Sequence, residues 1–145
     1  MKNGPLRALQ AVLWFVCASH LAHGVALMFS QTLQKQVALL YAGQVDWTPQ
    51  FIYILRALGA FMFALGVMGI GAALDPLRYR LVVYGFAVLL LIRVLQRIIL
   101  QGDIRAAFAV PPTHLIAGAG FFLAFGIALV VLMEFARRSS VAPES

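Results

Sequence analysis

Four long apolar runs, separated by short polar segments, dominate the chain and predict its architecture. They lie at about residues 6–29, 50–74, 79–100 and 112–135. A helix rises ~1.5 Å per residue, so about 20 residues cross the ~30 Å hydrocarbon core of a bilayer. We therefore predict an all-α, integral membrane four-helix bundle whose consecutive spans run up-down-up-down.

The composition supports the same class of protein. Hydrophobic residues make up 63% of the 145 residues and charged residues 11%. Soluble domains are about 45–50% apolar and about 25% charged. We expect one membrane domain, with the lipid bilayer as its solvent. The single cysteine, Cys17, excludes an internal disulfide and a cysteine-rich metal site.

The polar segments predict how the spans are connected. Gln and Lys alternate with apolar residues over Thr32–Tyr41, which is typical of a short amphipathic helix on a membrane surface. Thr48 is a candidate N-cap of the second span, and Pro49 suits the first helical position. We expect a tight loop, a polar connection and a flexible tail at residues 75–80, 101–111 and 136–145 respectively.

Small residues at helical spacing predict where the spans pack, because they let membrane helices approach closely. The second span carries Gly59, Gly66, Gly69 and Gly71. In the fourth span we expect a packing stripe at Gly120, Ala124 and Ala128.

The distribution of basic residues predicts the orientation. Since cytoplasmic loops are enriched in Lys and Arg, the richer side is expected to be cytoplasmic. One side carries Lys35 and Arg105, and the other carries Lys2, Arg7, Arg78, Arg80, Arg137 and Arg138. Both termini are therefore expected in the cytoplasm. Because these residues lie beside apolar spans, they indicate topology and not a nucleic-acid partner.

Polar residues inside the spans are the main functional signal. Arg93, Gln96 and Arg97 share one face of the third span. An arginine inside a bilayer costs about 2.5–3.5 kcal/mol on insertion scales, so it usually faces protein or a water-filled cavity. Under the predicted topology, every span contributes polar side chains to the outer leaflet. The predicted ligand-binding residues are Arg56, Arg93, Gln96, Arg97, His20, His23 and His114.

This convergence predicts a positively charged cavity that opens to the non-cytoplasmic side. Arginine side chains suit oxygen-bearing head groups, so the expected guest is a quinone, a lipid or a fatty acid. Structural readings remain open. Arg56 and Arg97 could reach the head groups. Arg93 could bond backbone carbonyls, Gln96 or an outer-loop acid (Asp46 or Asp103). His20 and His23 could form interhelical hydrogen bonds, and His114 could lie at the interface.

Catalytic and cofactor signatures are scarce. The sequence has no Ser–His–Asp set, P-loop or dinucleotide fingerprint, which favours a non-catalytic role. Catalysis by His and Arg alone is left open. Haem held by His114 with His20 or His23 is a weaker alternative, with no c-type attachment motif. No Asp or Glu lies in the outer half of a span, which disfavours a transition-metal enzyme.

The chain resembles the DoxX-like group of small four-helix bacterial membrane proteins. The resemblance covers about residues 5–135 and rests on Arg56-Ala57-Leu58-Gly59, the following Phe63-Ala64-Leu65-Gly66, and Arg93 and Arg97 followed by Gln101-Gly102-Asp103. It implies a multi-pass protein of the bacterial plasma membrane. A named member of the group is associated with thiosulfate:quinone oxidoreduction, so the resemblance adds weight to quinone contact.

The sequence therefore favours an accessory membrane subunit that binds a quinone or lipid-like ligand, acting with a partner subunit or as a homo-oligomer. The alternatives are a structural or assembly protein without a ligand and a haem-binding cytochrome-like subunit.

Overall fold

The computed structural model describes residues 4–40 and 44–141, and within those ranges it is all-helical. Four of its helices are long and apolar enough to cross a membrane, namely α1, α3, α4 and α6 up to Ser139. The prediction of four membrane-spanning helices is confirmed at this level. The helices in chain order are α1 (Gly4–Phe29), α2 (Gln31–Leu40), α3 (Pro49–Leu74), α4 (Arg80–Ile99), α5 (Gln101–Phe108) and α6 (Pro112–Val141).

Helices α1 and α3 form the most extensive helix pair, and glycines make their close approach possible. A Cβ atom on Gly24 would lie 2.7 Å from the Phe63 backbone nitrogen, and one on Gly59 would lie 2.9 Å from the Gly24 carbonyl oxygen. Gln10 Nε2 donates to the Leu74 carbonyl oxygen at 3.1 Å. The contacts run in opposite sequence order along the two helices, so this pair is antiparallel. The predicted role of small residues is confirmed at Gly59, Gly66 and Gly69, whereas a Cβ atom on Gly71 would make an ordinary contact with the Tyr79 ring, at 3.7 Å.

Helices α4 and α6 form the second extensive pair. Near the start of α4, the Tyr84 hydroxyl donates to Glu134 Oε1 at 2.6 Å, and Arg137 Nη1 lies 3.0 Å from the same oxygen. Stacked rings of Phe15 and Phe125, 5.2 Å apart, join α6 to α1. We call this part of the bundle the closed end. Its fully buried core residues are Leu9, Leu13, Cys17, Ala72, Ala73, Val83, Leu129 and Met133.

A turn at residues 76–79 joins α3 to α4, and Asp75 Oδ1 accepts a hydrogen bond from the Arg78 amide at 3.1 Å. Contacts between these two helices are sparse. A Cβ atom on Gly69 would lie 3.0 Å from the Phe86 ring, which marks a contact near the turn. The limited contact between α3 and α4 leaves room for a cavity towards the opposite end of the bundle.

The structure confirms the predicted start of α3. Thr48 has an extended backbone, and its Oγ1 accepts a hydrogen bond from the Phe51 amide at 3.2 Å. Pro49 lies at the start of the helix, where its missing N–H costs no hydrogen bond.

Two segments differ from expectation, and both are helical. Residues 101–108 form α5 and not an irregular connection, since Ile104 and Phe108 lie one turn apart and both line the cavity described below. Helix α6 continues to Val141, beyond residue 135, where the sequence places the end of the fourth span. Ala136 is buried and Glu134 is bonded to Tyr84, which anchors these last turns. Residues 142–145 of the predicted tail lie outside the described residues.

The packing stripe predicted for α6 was also wrong. Gly120 and Ala124 are exposed, and a Cβ atom on Gly120 would meet nothing within 4 Å. The buried face of α6 is instead formed mostly by larger side chains, with one glycine and one alanine: Leu115, Phe122, Gly126, Leu129, Met133 and Ala136. Small size alone therefore did not identify the packed face.

Candidate ligand cavity

A cavity of about 350 Å³ lies at the opposite end of the bundle from the closed end. We call this region the open end; it is formed by α2, residues 44–48, α5 and the adjoining ends of the four long helices. Every helix contributes to the cavity wall. The apolar wall includes Leu27, Leu55, Leu58, Met62, Leu115 and Phe122, and the polar wall consists of His23, Gln34, Arg93, Gln96 and Arg97.

Helix α4 supplies the cationic part of the wall. Arg93 and Arg97 lie one turn apart, and each guanidinium lies against the ring of Phe122 on α6. The Cζ–centroid distances are 5.3 Å for Arg93 and 5.1 Å for Arg97. These distances fall within the range of cation–π attraction. The aromatic ring thus holds two like charges at one wall without neutralising either of them.

A glycine on α6 makes space for one of these arginines. A Cβ atom on Gly118 would lie 2.8 Å from Arg97 Nη1 and 2.9 Å from Arg97 Cζ. Gly118 and Phe122 are one turn apart on α6. The two residues therefore form one surface on which the Arg97 side chain lies.

The cavity contains no carboxylate among the described residues that line it. Within residues 4–40 and 44–141, Arg93 has neither an ion pair nor a hydrogen bond. The reading in which Asp46 or Asp103 neutralises Arg93 is therefore not what the structure has. Since an arginine in an apolar setting is costly without a partner, the wall favours an oxygen-bearing or anionic guest.

Helices α1 and α2 form a different polar wall. His23 is half-buried, and its Nδ1 lies 2.7 Å from the Ser19 carbonyl oxygen. Gln34 is almost fully buried, and its Nε2 donates to the Leu27 carbonyl oxygen at 2.6 Å. Leu27 belongs to the last turn of α1, where carbonyl groups have no partner within the helix. Gln34 therefore caps α1 and fixes α2 against it.

Because Gln34 is buried, α2 differs from the predicted surface helix. The sequence predicts a helix on the membrane surface over residues 32–41, and a helix is present at Gln31–Leu40. Position 41 lies outside the described residues. Val37 and Ala38 join Gln34 in lining the cavity. Helix α2 is thus a wall of the site, and the side chains at positions 31–33, 35, 36 and 39 are exposed.

The two connecting segments of the open end are joined to each other. The Gln44 amide donates to the Phe108 carbonyl oxygen at 2.8 Å. The Lys35 ammonium lies 5.9 Å from the centroid of the Trp47 ring, which in turn meets Phe51 edge to face. The Lys35–Trp47–Phe51 contacts connect α2 to the start of α3. The Gln44–Phe108 hydrogen bond connects the segment before α3 to α5. The connecting segments of the open end are therefore held to one another and to the neighbouring helices.

Of the seven predicted site residues, the structure brings His23, Arg93, Gln96 and Arg97 together around the cavity. The other three do not line it. Arg56 and His114 have exposed side chains, whereas His20 is buried, with Nδ1 2.8 Å from the Val16 carbonyl and its ring against Phe86. The described residues contain no cluster of three or more His, Cys, Asp or Glu side chains able to hold a metal ion.

Comparison with protein-family models, curated proteins and solved structures finds no match to this chain. The description of the site therefore depends on the chain's own residues.

Sequence reasoning missed three residues that shape the polar walls of the site. Gln34 was assigned to a solvated helix face, and Phe122 and Gly118 were not connected with the arginines. Their spacing contained a signal, because Gly118 and Phe122 fall on one helical face in the outer half of the fourth span, at the same predicted depth as Arg93 and Arg97. Nothing in the pattern indicated that Gln34 is buried.

Proposed function

We propose that this chain is a DoxX-like accessory protein of the bacterial plasma membrane that binds a quinone or lipid-like ligand in the cavity of its open end. Four apolar helices of spanning length support a multi-pass membrane protein. The proposed layout is up-down-up-down with both termini in the cytoplasm. In this orientation the open end lies in the outer leaflet. Antiparallel contacts in the α1–α3 and α4–α6 pairs are consistent with this layout.

The observation that carries the proposal is that Arg93 and Arg97 both lie against Phe122 at the wall of a mostly apolar cavity. Guanidinium groups donate to carbonyl, carboxylate and phosphate oxygens, and the apolar walls suit an acyl or isoprenoid body. Pockets that bind small molecules are mostly apolar with a few placed polar groups, and their volumes are about 300–1,000 Å³. A volume of about 350 Å³ accommodates a head group and the first part of a chain.

The test is mass spectrometry of small molecules that co-purify with the mildly solubilised full chain. We expect a quinone or lipid at a fixed ratio to the wild-type protein and its loss from Arg93→Leu. Arg56→Leu is the matched control, because Arg56 is also an arginine in an apolar span but does not line the cavity.

Retention of the same molecule by Arg93→Leu would contradict the proposal. Nonspecific lipid in equal amounts in all three proteins would favour a structural or assembly role. A protein that absorbs in the Soret region would instead favour the haem-binding alternative.

A further inference from the structure

The walls of the cavity differ in hydrogen-bonding character. Arginine side chains on α4 can only donate hydrogen bonds. On the side of α1 and α2, His23 and Gln34 each donate a hydrogen bond to a backbone carbonyl. Each side chain therefore has one further polar atom that can accept a hydrogen bond. Together, these two acceptors and the guanidinium groups of Arg93 and Arg97 restrict the chemistry of the head group.

Gln34 is the stronger of the two observations. A backbone carbonyl only accepts hydrogen bonds, so the amide nitrogen of Gln34 must be the group that faces the Leu27 oxygen 2.6 Å away. This fixes the orientation of the amide and identifies the other atom as Oε1. Gln34 is only 1% exposed, and its Oε1 has no hydrogen-bond partner among the described residues. Buried acceptors in folded proteins are normally paired, so this oxygen lacks a donor.

His23 independently provides a second acceptor without a donor. Its Nδ1 lies 2.7 Å from the Ser19 carbonyl oxygen, so Nδ1 carries a hydrogen atom. In the neutral imidazole, Nε2 is then an acceptor. His23 lines the cavity, and no described residue bonds Nε2. The α1–α2 side therefore offers two acceptors to the cavity region, one from each helix.

We infer that the ligand's head group carries a hydroxyl group, which donates to Gln34 or His23 while oxygen atoms of the head accept from Arg93 and Arg97. This inference rests on the proposed function and narrows its ligand class. A hydroquinone or a glycerol-headed lipid has the required hydrogen. An oxidised quinone or a head made only of esters satisfies the arginines but leaves both acceptors without a donor.

Burial of Gln34 also has a structural explanation, since its Nε2 caps α1. Capping accounts for one end of the amide only. An apolar side chain of similar length would fill the same space without burying an unpaired oxygen. The buried, unpaired oxygen of this cavity-lining residue is thus the feature that capping leaves unexplained and that a hydroxyl donor would satisfy.

The experiment compares two probe pairs on the purified full chain in detergent, with dissociation constants measured by native mass spectrometry. One pair is a decyl-substituted hydroquinone and its quinone, which have the same carbon framework and differ in the two hydroxyl hydrogens. The other pair is 1-monooleoylglycerol and its di-O-methyl ether. In at least one pair we expect the hydroxyl-bearing probe to bind about tenfold tighter or more. The pair that shows the difference identifies the source of the head group.

Two variants locate the donor's partner. Gln34→Met and His23→Phe each remove an acceptor, and the double variant should bind the two members of a pair with equal affinity. If Gln34→Met fails to fold, the comparison within each probe pair on the wild-type protein still tests the inference. Arg93→Leu should weaken both members of each pair alike.

Equal affinity for both members of each pair in the wild-type protein would overturn the inference, as would a preference that survives in the double variant. If both members bind equally and Arg93→Leu abolishes both, the proposed function stands and this inference alone fails. If no probe binds the wild-type protein, both fail.

Discussion

The two ends of this helical bundle differ in how their interiors are packed. At the closed end, eight fully buried residues from α1, α3, α4 and α6 fill the interior, and Tyr84 joins α4 to α6 through Glu134. At the open end, the long helices enclose a cavity of about 350 Å³ with two arginines in its wall. The closed end thus stabilises the bundle, and the open end has less internal packing and a mostly apolar cavity with polar groups in its wall.

The first prediction concerns the stability of the two ends. Met133→Ala should lower the free energy of unfolding by about 2–5 kcal/mol, because Met133 is fully buried and its truncation leaves a void. Leu58→Ala should cost less than about 1 kcal/mol, since Leu58 lines the cavity and is 42% exposed. Denaturant unfolding in detergent, followed by tryptophan fluorescence, measures both. Equal losses would show that the ends do not differ in packing.

The second prediction concerns the α1–α3 contact that supports both ends. Gly24→Ala places a methyl group within 3.0 Å of the Phe63 backbone, which cannot move without separating the helices. We expect a loss of about 1–3 kcal/mol in the free energy of unfolding. Gly120→Ala, a matched substitution that meets open space, should change stability little. A Gly24→Ala protein as stable as Gly120→Ala would contradict the close contact.

A third, smaller effect separates binding from stability at the open end. Gly118→Ala should displace the Arg97 guanidinium, because the new methyl group would lie 2.8 Å from Nη1. The end of a long side chain can move, so we expect unchanged unfolding and a several-fold weaker affinity for the ligand. Gly120→Ala on the same helix serves as the control in the same titration. Unchanged affinity in Gly118→Ala would mean that the position of Arg97 does not matter for binding.

The smallest effect is expected at the polar link of the closed end. Tyr84→Phe removes the hydroxyl that donates to Glu134 at 2.6 Å but keeps the ring. We expect a slightly lower midpoint of thermal unfolding and an unchanged ligand affinity. A loss of ligand affinity would indicate that the two ends are coupled.

Much of the architecture could be predicted from the sequence because a bilayer restricts what a long apolar run can become. The helix start at Thr48 and Pro49 followed from backbone chemistry alone, which is local. The grouping of Arg93, Gln96 and Arg97 followed from helical periodicity and from the cost of placing charge in lipid. These inferences needed no knowledge of neighbouring helices.

The rest depended on how helices are rotated against one another. Arg56 and His114 lie near the starts of α3 and α6, but a position along a helix does not determine which way a side chain points. The burial of Gln34 could not be predicted for a related reason, since it comes from a hydrogen bond to the Leu27 carbonyl on another helix. Small residues identified the packed face of α3 but not that of α6, where larger side chains fill the interface.

The most direct test of the account is to map where a bound amphiphile lies, with a long-chain probe that carries a photoreactive diazirine near its head group. Met62 and Phe61 are adjacent on α3, but Met62 is 8% exposed and lines the cavity, whereas Phe61 is 71% exposed and does not. After irradiation and peptide mass spectrometry, we predict adducts at Met62 in the wild-type protein that disappear in Arg93→Leu, with adducts at Phe61 unchanged. Labelling at Phe61 alone, or equal labelling of Met62 in both proteins, would contradict a ligand held by arginine at the open end.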